Sequence, residues 1–417
     1  MQTEVTVGDA PATESATAHA REISPDRPYF AAFEGLRAIA ALLVVVDHTS
    51  FVSGFSNRSE RFGDFTARGE IGVAVFFLIS GFLLYRPFVA AHFAGRPAPH
   101  VRTFLVRRAM RIIPLYWLVL TVVVLTGTSQ LHSGWDVLAS YCFAQVYVTR
   151  AVLHGVSQAW SLDIEAVFYI TLPLWAALLA RRQRNPRSQL RAEILALVGL
   201  YLTGVLFRWF VTAHPTHLMH NWHGWMPQWF DMFSLGMGLA VMSAWYEKER
   251  RRPAWVDVPG TAVGCWVLAG FAYWLVSKHV VTSHLPLYVG SSAIEMSRYF
   301  LYGAFGFFLL LPAAFTPARD RPQGPIRWFL TCRPMAFLGL ISYGIYLWHQ
   351  WVVDELLRHT SWKLFQITYV PFLIVVVLLT VALSTASYWT VERPGISLGR
   401  RLTRRWRTAQ PTGLRQT

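Results

Sequence analysis

Charged residues are scarce in this 417-residue chain: Asp, Glu, Lys and Arg make up 15%, against 54% hydrophobic residues. Soluble domains carry about a quarter charged residues, so the deficit argues against an ordinary soluble fold and favours a polytopic membrane protein. Cysteine is scarce too. Cys142, Cys265 and Cys332 lie far apart and are odd in number, which supports neither a disulfide framework nor a cysteine metal site. Residues 1–28 lack the basic start and apolar core of a signal peptide, and their polar composition reads as a disordered tail. Neither an internal repeat nor a large soluble module is visible.

What the chain has instead is long apolar runs. Ten of them approach the ~20 residues that a bilayer crossing requires. They fall near 30–50, 70–90, 108–128, 158–180, 190–212, 229–246, 256–277, 296–315, 335–353 and 368–390. The formal charge of +15 alternates between the loops that join these runs. With span-edge residues counted in their loops, the N-tail, the even-numbered loops and the C-tail hold 27 of the 38 Lys and Arg. By the positive-inside rule both termini are cytoplasmic, and the basic excess reflects topology rather than nucleic-acid binding. The prediction is an all-α polytopic membrane protein at the cell membrane. It has a cytoplasmic N-tail over 1–28, a bundle of about ten transmembrane helices over 29–392, and a basic cytoplasmic C-tail over 393–417. The stretch RRLTRRWR in that tail is the strongest candidate for binding an anionic lipid surface. The longest connection, about 129–157, holds WDVLASYCFAQVYV, which predicts an amphipathic helix on the outer surface.

The first span carries ionisable groups that a lipid-facing helix would not keep: Glu34, Arg37, Asp47 and His48. Eleven residues at ~100° each amount to three turns plus ~20°, so Arg37 and His48 project from one face, ~16 Å apart. Arg37 is then the inner station and His48 the outer one, with Glu34 at the inner boundary and Asp47 turned toward solvent or a neighbour. Snorkelling of Arg37 and simple solvation of His48 is the competing reading.

The stretch EGLRAIAALLVVVDH, with Arg and His flanking ten residues, resembles the first helix of the acyltransferase-3 family of integral membrane acyltransferases. Four further stretches match in order: VAVFFLISGFLLYR, RRAMRIIPLYW, WSLDIEAVFY and ISYGIYLWHQ. Where the family often has Glu and Gln after the glutamate of WSLDIEAVFY, this chain has Ala166 and Val167, which leaves Glu165 itself intact. The resemblance implies transfer of an acyl group, acetyl first, from cytoplasmic acyl-CoA to a hydroxyl of an envelope glycolipid, polysaccharide or other exported carbohydrate. Succinyl or a longer acyl chain is the alternative, and a transporter without acyl transfer is the other class. No hydrolase-like module of the kind some relatives append is recognised, and no metal is expected.

Within that frame the residues take expected roles. Arg108 and Arg111, at i and i+3 on one helix face, suit the phosphates of CoA together with Arg37, because guanidinium groups bind phosphate through forked hydrogen bonds. Ordinary positive-inside charge is the alternative for this pair. His48 is the expected general base and Glu165 its orienter or an acceptor-binding group. Trp160, Ser161, Tyr343, Tyr346 and His349 are the expected acceptor side, with a packing role as the competing reading for His349. Ser80 and Gly81 read as a close helix contact, and Arg86 as an addition to the phosphate site or a snorkelling residue. His214, His217, His220 and His223 read as interfacial, since their spacing drifts ~60° per step on a helix and no Cys or acid joins them. Direct transfer is expected over an acyl-enzyme, because no Ser or Cys is paired with a base in a nucleophile motif.

Overall fold

The computed structural model describes residues 30–408 apart from 60, 132, 149–153, 181–184, 215–221, 223, 252, 279–290 and 316–323. The expected N-tail over 1–28 and residues 409–417 of the expected C-tail over 393–417 lie outside these residues, as do His217, His220 and His223. The described chain is all helix and loop, with α1 Ala32–Ser53, α2 Ile71–Ala94, α3 Val101–Leu125 and α4 Trp160–Ala180. Next come α5 Pro186–Ala213, α6 Phe230–Lys248, α7 Thr261–Ser277 and α8 Ser292–Ala314. The last four are α9 Arg333–Leu340, α10 Ser342–His359, α11 Tyr369–Ser387 and α12 Arg393–Thr408. Seven helices among the described residues are long and apolar enough to cross a membrane, and α7 is a shorter apolar helix. The chain is an all-α, multi-pass membrane protein.

Every apolar run falls on helix, but two runs and the long outer connection depart from the expected outline. The run at 335–353 is two helices, α9 and α10, interrupted at Ile341. At the break, Ser342 Oγ donates to the Gly339 carbonyl at 2.8 Å, taking an acceptor that a continuous helix would give to a backbone N–H. Helix α3 begins at Val101, seven residues before the apolar run, because its first turns pair with α12 rather than with lipid. In the long outer connection the helix stops at Tyr141, Phe143 takes a φ of 57°, and a second short helix follows over Gln145–Val148. The single amphipathic helix expected there is therefore two pieces.

Helix α2 is the hub. Of its crossing window 72% is buried, the highest share among the candidate spans. Its contact with α6 is close at two reciprocal places. A Cβ on Gly81 would lie 2.5 Å from the Phe233 carbonyl oxygen, and one on Gly236 would lie 2.1 Å from that of Leu78. Small residues permit this approach, and in lipid the packing and polar contacts it allows are the main association force between helices. Gly81 thus serves helix packing, while its neighbour Ser80 turns to the site. Phe77 and Phe168 both pack on Phe233, which ties α2, α4 and α6 into one apolar core. A second core joins α1, α10 and α11 through Val45, Ile345 and Phe372.

Several buried charged groups in the bundle are paired. Arg208 on α5 holds Asp231 on α6 through both guanidinium nitrogens, at 2.6 and 2.9 Å, and stacks over the Tyr299 ring. Glu193 on α5 accepts from Tyr85 and Gln189 and meets His92 Nδ1 at 2.8 Å. Arg86 pairs with Glu247 and donates to Ser243 Oγ, with its guanidinium over the Phe30 ring. It is therefore neither a snorkelling residue nor part of a phosphate site. Asp47 is half-buried against the turn before α2, with its Cβ beside Gly69, so it belongs to a neighbour rather than to solvent.

Candidate functional site

Five helices line a cavity of about 90 Å³ in the bundle. Helix α1 supplies Arg37; α2 supplies Phe76, Ser80 and Leu84; α3 supplies Arg108, Arg111 and Ile112; and α4 and α10 supply Ser161, Glu165, Tyr169, Tyr343 and Tyr346. All three expected phosphate-binding arginines therefore meet Glu165, Ser161, Tyr343 and Tyr346 in one space. The helical periodicity explains how: Arg108, Arg111 and Ile112 stand at i, i+3 and i+4 on one face of α3.

The arginines differ in what holds them. Arg37 pairs with Glu34 one turn earlier at 2.9 Å. Arg108 and Arg111 make no hydrogen bond or salt bridge among the described residues, and Arg108 Nε is buried without a partner. Glu392 and Glu34 balance Arg111 only at longer range. Two half-buried guanidiniums in a low-dielectric cavity are costly unless an anion compensates them. A polyanionic ligand fits this pair, and phosphate matches its fork geometry.

Glu165 is not against His48. Its Oε1 accepts from Ser80 Oγ at 2.5 Å, which fixes it on the α2 wall of the cavity. The partner of His48 is His349: His48 Nδ1 lies 2.8 Å from His349 Nε2, and His349 is fully buried. The other nitrogen of His349, Nδ1, lies 3.1 Å from the Ile345 carbonyl, which can only accept. For two neutral rings the network has one assignment. His349 donates from Nδ1 to Ile345 and accepts at Nε2 from His48 Nδ1–H, leaving His48 Nε2 unprotonated. His349 thus stands at His48 Nδ1, where Glu165 was expected.

Tyr346 separates the two halves of the site. It lines the arginine cavity, its ring lies 6.1 Å from that of His349, and Phe76 packs on its other side at 5.7 Å. The Tyr346 hydroxyl donates to the Gln158 carbonyl at 2.9 Å and lies 2.8 Å from Ser161 Oγ. Gln158 in turn donates from Nε2 to the carbonyls of Tyr346 and Leu347 at 3.0 and 2.8 Å, clamping the turn of α10 before His349. Sequence reasoning passed over Gln158, whose partners lie 188 and 189 residues away. Tyr343 donates to the Ile112 carbonyl at 2.9 Å and joins α10 to α3. Trp160 does not reach the cavity but packs against Trp229, ring centroids 5.3 Å apart. Of the outer histidines only His214 is described; its Nδ1 lies 3.0 Å from the Phe210 carbonyl. No group of three or more metal-ligating side chains occurs among the described residues.

Comparison with known proteins fits these features. The chain is 23% identical over 350 residues to a peptidoglycan O-acetyltransferase of Listeria monocytogenes, covering 78% of this chain and 49% of that one. It is 25% identical over 400 residues to a putative peptidoglycan O-acetyltransferase of Bacillus subtilis, covering 88% and 55%. A putative membrane-bound transacylase of Komagataeibacter xylinus is 26% identical over 386 residues, covering 87% and 82%. The chain spans about half the length of the first two relatives. No solved structure matches it significantly. The profile described as an acyltransferase domain covers residues 30–389, the whole of α1 to α11, and the chain belongs to the acyltransferase-3 family.

Proposed function

We propose that the protein transfers an acyl group, acetyl first, from cytoplasmic acyl-CoA to a hydroxyl of an envelope carbohydrate on the opposite side of the membrane. The observation that carries this reading is two arginines, Arg108 and Arg111, without a hydrogen bond or ion pair among the described residues, in the same bundle as a histidine whose Nε2 is left unprotonated. The arginines hold the phosphates of CoA, and the pantetheine arm runs past Ser80 and Glu165 toward Tyr346. Its thioester reaches the histidine pair once Tyr346 and Phe76 yield. The acceptor hydroxyl gives its proton to His48 Nε2 while its oxygen attacks the thioester carbonyl carbon. The resulting imidazolium is stabilised through Nδ1–H by His349. Collapse of the tetrahedral intermediate breaks the C–S bond, and the departing CoA sulfur takes the proton back from His48. Atoms and charge balance without a covalent enzyme intermediate.

Both termini lie in the cytoplasm in this reading, and about ten helices cross the bilayer. The loop charge asymmetry supports it. The relatives' names support an envelope glycan as acceptor and acetyl as the group moved. The test is purified protein in proteoliposomes with labelled acetyl-CoA and glycan acceptors. Label appearing in glycan ester carries the proposal. Acetyl-CoA flux without ester formation identifies a transporter, and transfer from succinyl-CoA alone identifies the other acyl class.

A further inference from the structure

Helix α12 carries a surface that the bundle does not use. It continues α11 through a π-helical turn over Tyr388–Glu392, and the continuous helix counted from Tyr369 runs 36 residues, to Arg404. At 1.5 Å per residue that is ~54 Å, far beyond the ~30 Å hydrocarbon core of a bilayer. The 19 residues of α11 already span the core, so α12 lies beyond it.

One strip of α12 is taken by α3. A Cβ on Gly395 would meet the Met110 carbonyl oxygen at 2.7 Å, Gly399 faces the Met110 side chain, and Thr403 Oγ1 accepts from Arg107 Nε at 2.9 Å. Beside this strip run Leu398, Leu402 and Trp406, one per turn, left 49%, 44% and 44% exposed. At ~100° per residue these three fall within ~80° of one another, on the apolar side of the helix. Arg401 lies ~60° from Leu398, beside this stripe, while Arg400 and Arg404 lie on the opposite side, and all three are exposed. Residues 393–408 hold six arginines and no acid.

We propose that α12 is a membrane-docking element whose partner is the anionic lipid surface. Leu398, Leu402 and Trp406 enter the headgroup boundary, Arg401 beside them meets lipid phosphates, and Arg400 and Arg404 extend around the helix to the same headgroups. Charge complementarity selects an anionic surface, and the apolar stripe selects lipid over free phosphate, which would leave those three side chains in water. The inference is independent of which acyl group the protein moves.

The full chain in nanodiscs tests it by amide hydrogen exchange over 393–408. In discs of phosphatidylcholine mixed with phosphatidylglycerol, exchange is expected to be ~10-fold slower than in phosphatidylcholine alone, with the difference shrinking at high salt. The triple variant Arg400→Gln, Arg401→Gln, Arg404→Gln loses the lipid difference. Leu398→Ser, Leu402→Ser, Trp406→Ser loses protection in both discs. Unchanged exchange of α1 in each variant certifies the fold, and the salt series on the unmodified protein stands if a variant fails to fold. Equal exchange in the two lipids overturns the proposal. So does equal protection by inorganic phosphate in phosphatidylcholine discs, and so does a lipid difference that survives the triple arginine change.

Discussion

His48 Nδ1 lies 2.8 Å from His349 Nε2, and the Ile345 carbonyl beyond it determines which nitrogen of each ring carries a proton. The pair separates two roles that single substitutions distinguish. His48→Ala removes the base and is expected to lower turnover by ~10³-fold, within the range for a positioned acid–base group. His349→Ala keeps the base but frees its ring, at a loss of about 10²-fold. His349→Gln recovers part of that loss, because the amide oxygen accepts from His48 Nδ1–H. Initial rates of labelled transfer from acetyl-CoA decide it; wild-type turnover in His48→Ala removes the mechanism.

Arg108 and Arg111 should govern donor binding rather than the chemical step. Replacing either with Gln removes charge-assisted hydrogen bonds worth ~1.5–3 kcal/mol, a rise in KM of roughly 10- to 100-fold for acyl-CoA with kcat nearly unchanged. The effect disappears with a short thioester that has no phosphates. An equal KM change for both donors would assign the arginines to structure instead.

The α2–α6 crossing makes a prediction with an internal control. Gly81→Ala and Gly236→Ala drive a methyl into backbone at 2.5 and 2.1 Å, and each is expected to cost at least ~1–3 kcal/mol as the helices separate. Gly238→Ala, on the same helix as Gly236, meets nothing within 4 Å and should be neutral or slightly stabilising. Thermal unfolding in one detergent, read by fluorescence-detected size exclusion, ranks the three.

The Arg208–Asp231 pair is buried to 1% and 3% side-chain exposure, so its halves are costly alone. Arg208→Met leaves an uncompensated carboxylate and should destabilise by ~3–5 kcal/mol. Arg208→Met combined with Asp231→Leu should recover most of it, since an apolar pair removes the stranded charge. The same thermal assay measures the coupling, with Asp231→Leu alone completing the cycle, and a double-variant loss equal to the sum of the two single losses would show that the two do not act as a unit.

Much of this was legible along the chain. A ten-residue interval puts Arg37 and His48 on one face of any helix, because that relation is set by helical pitch alone. Apolar run length likewise marks the helices, since a bilayer accepts only segments that satisfy their own backbone. The break at Ile341 was not legible, because apolar residues continue through it and only the hydroxyl of Ser342 competes for a carbonyl there. The partner of His48 was not legible either. Depth alone admits His48, Glu165 and His349 as neighbours, and the choice among them rests on how α1, α2, α4 and α10 rotate about their axes.

The sequence by itself determined that this is a helical membrane protein, which five motifs in order assign it to its family, and which residues carry the charge. Local periodicity and hydrophobicity carry the first, and the resemblance of the motifs carries the family. The tertiary structure decided the pairings: Glu165 with Ser80, His48 with His349, Arg86 with Glu247, and Arg108 and Arg111 with no hydrogen-bonded or ion-paired partner among the described residues. Each pairing is a contact between helices, and inter-helix rotation and register depend on packing over the whole interface, which no local stretch encodes.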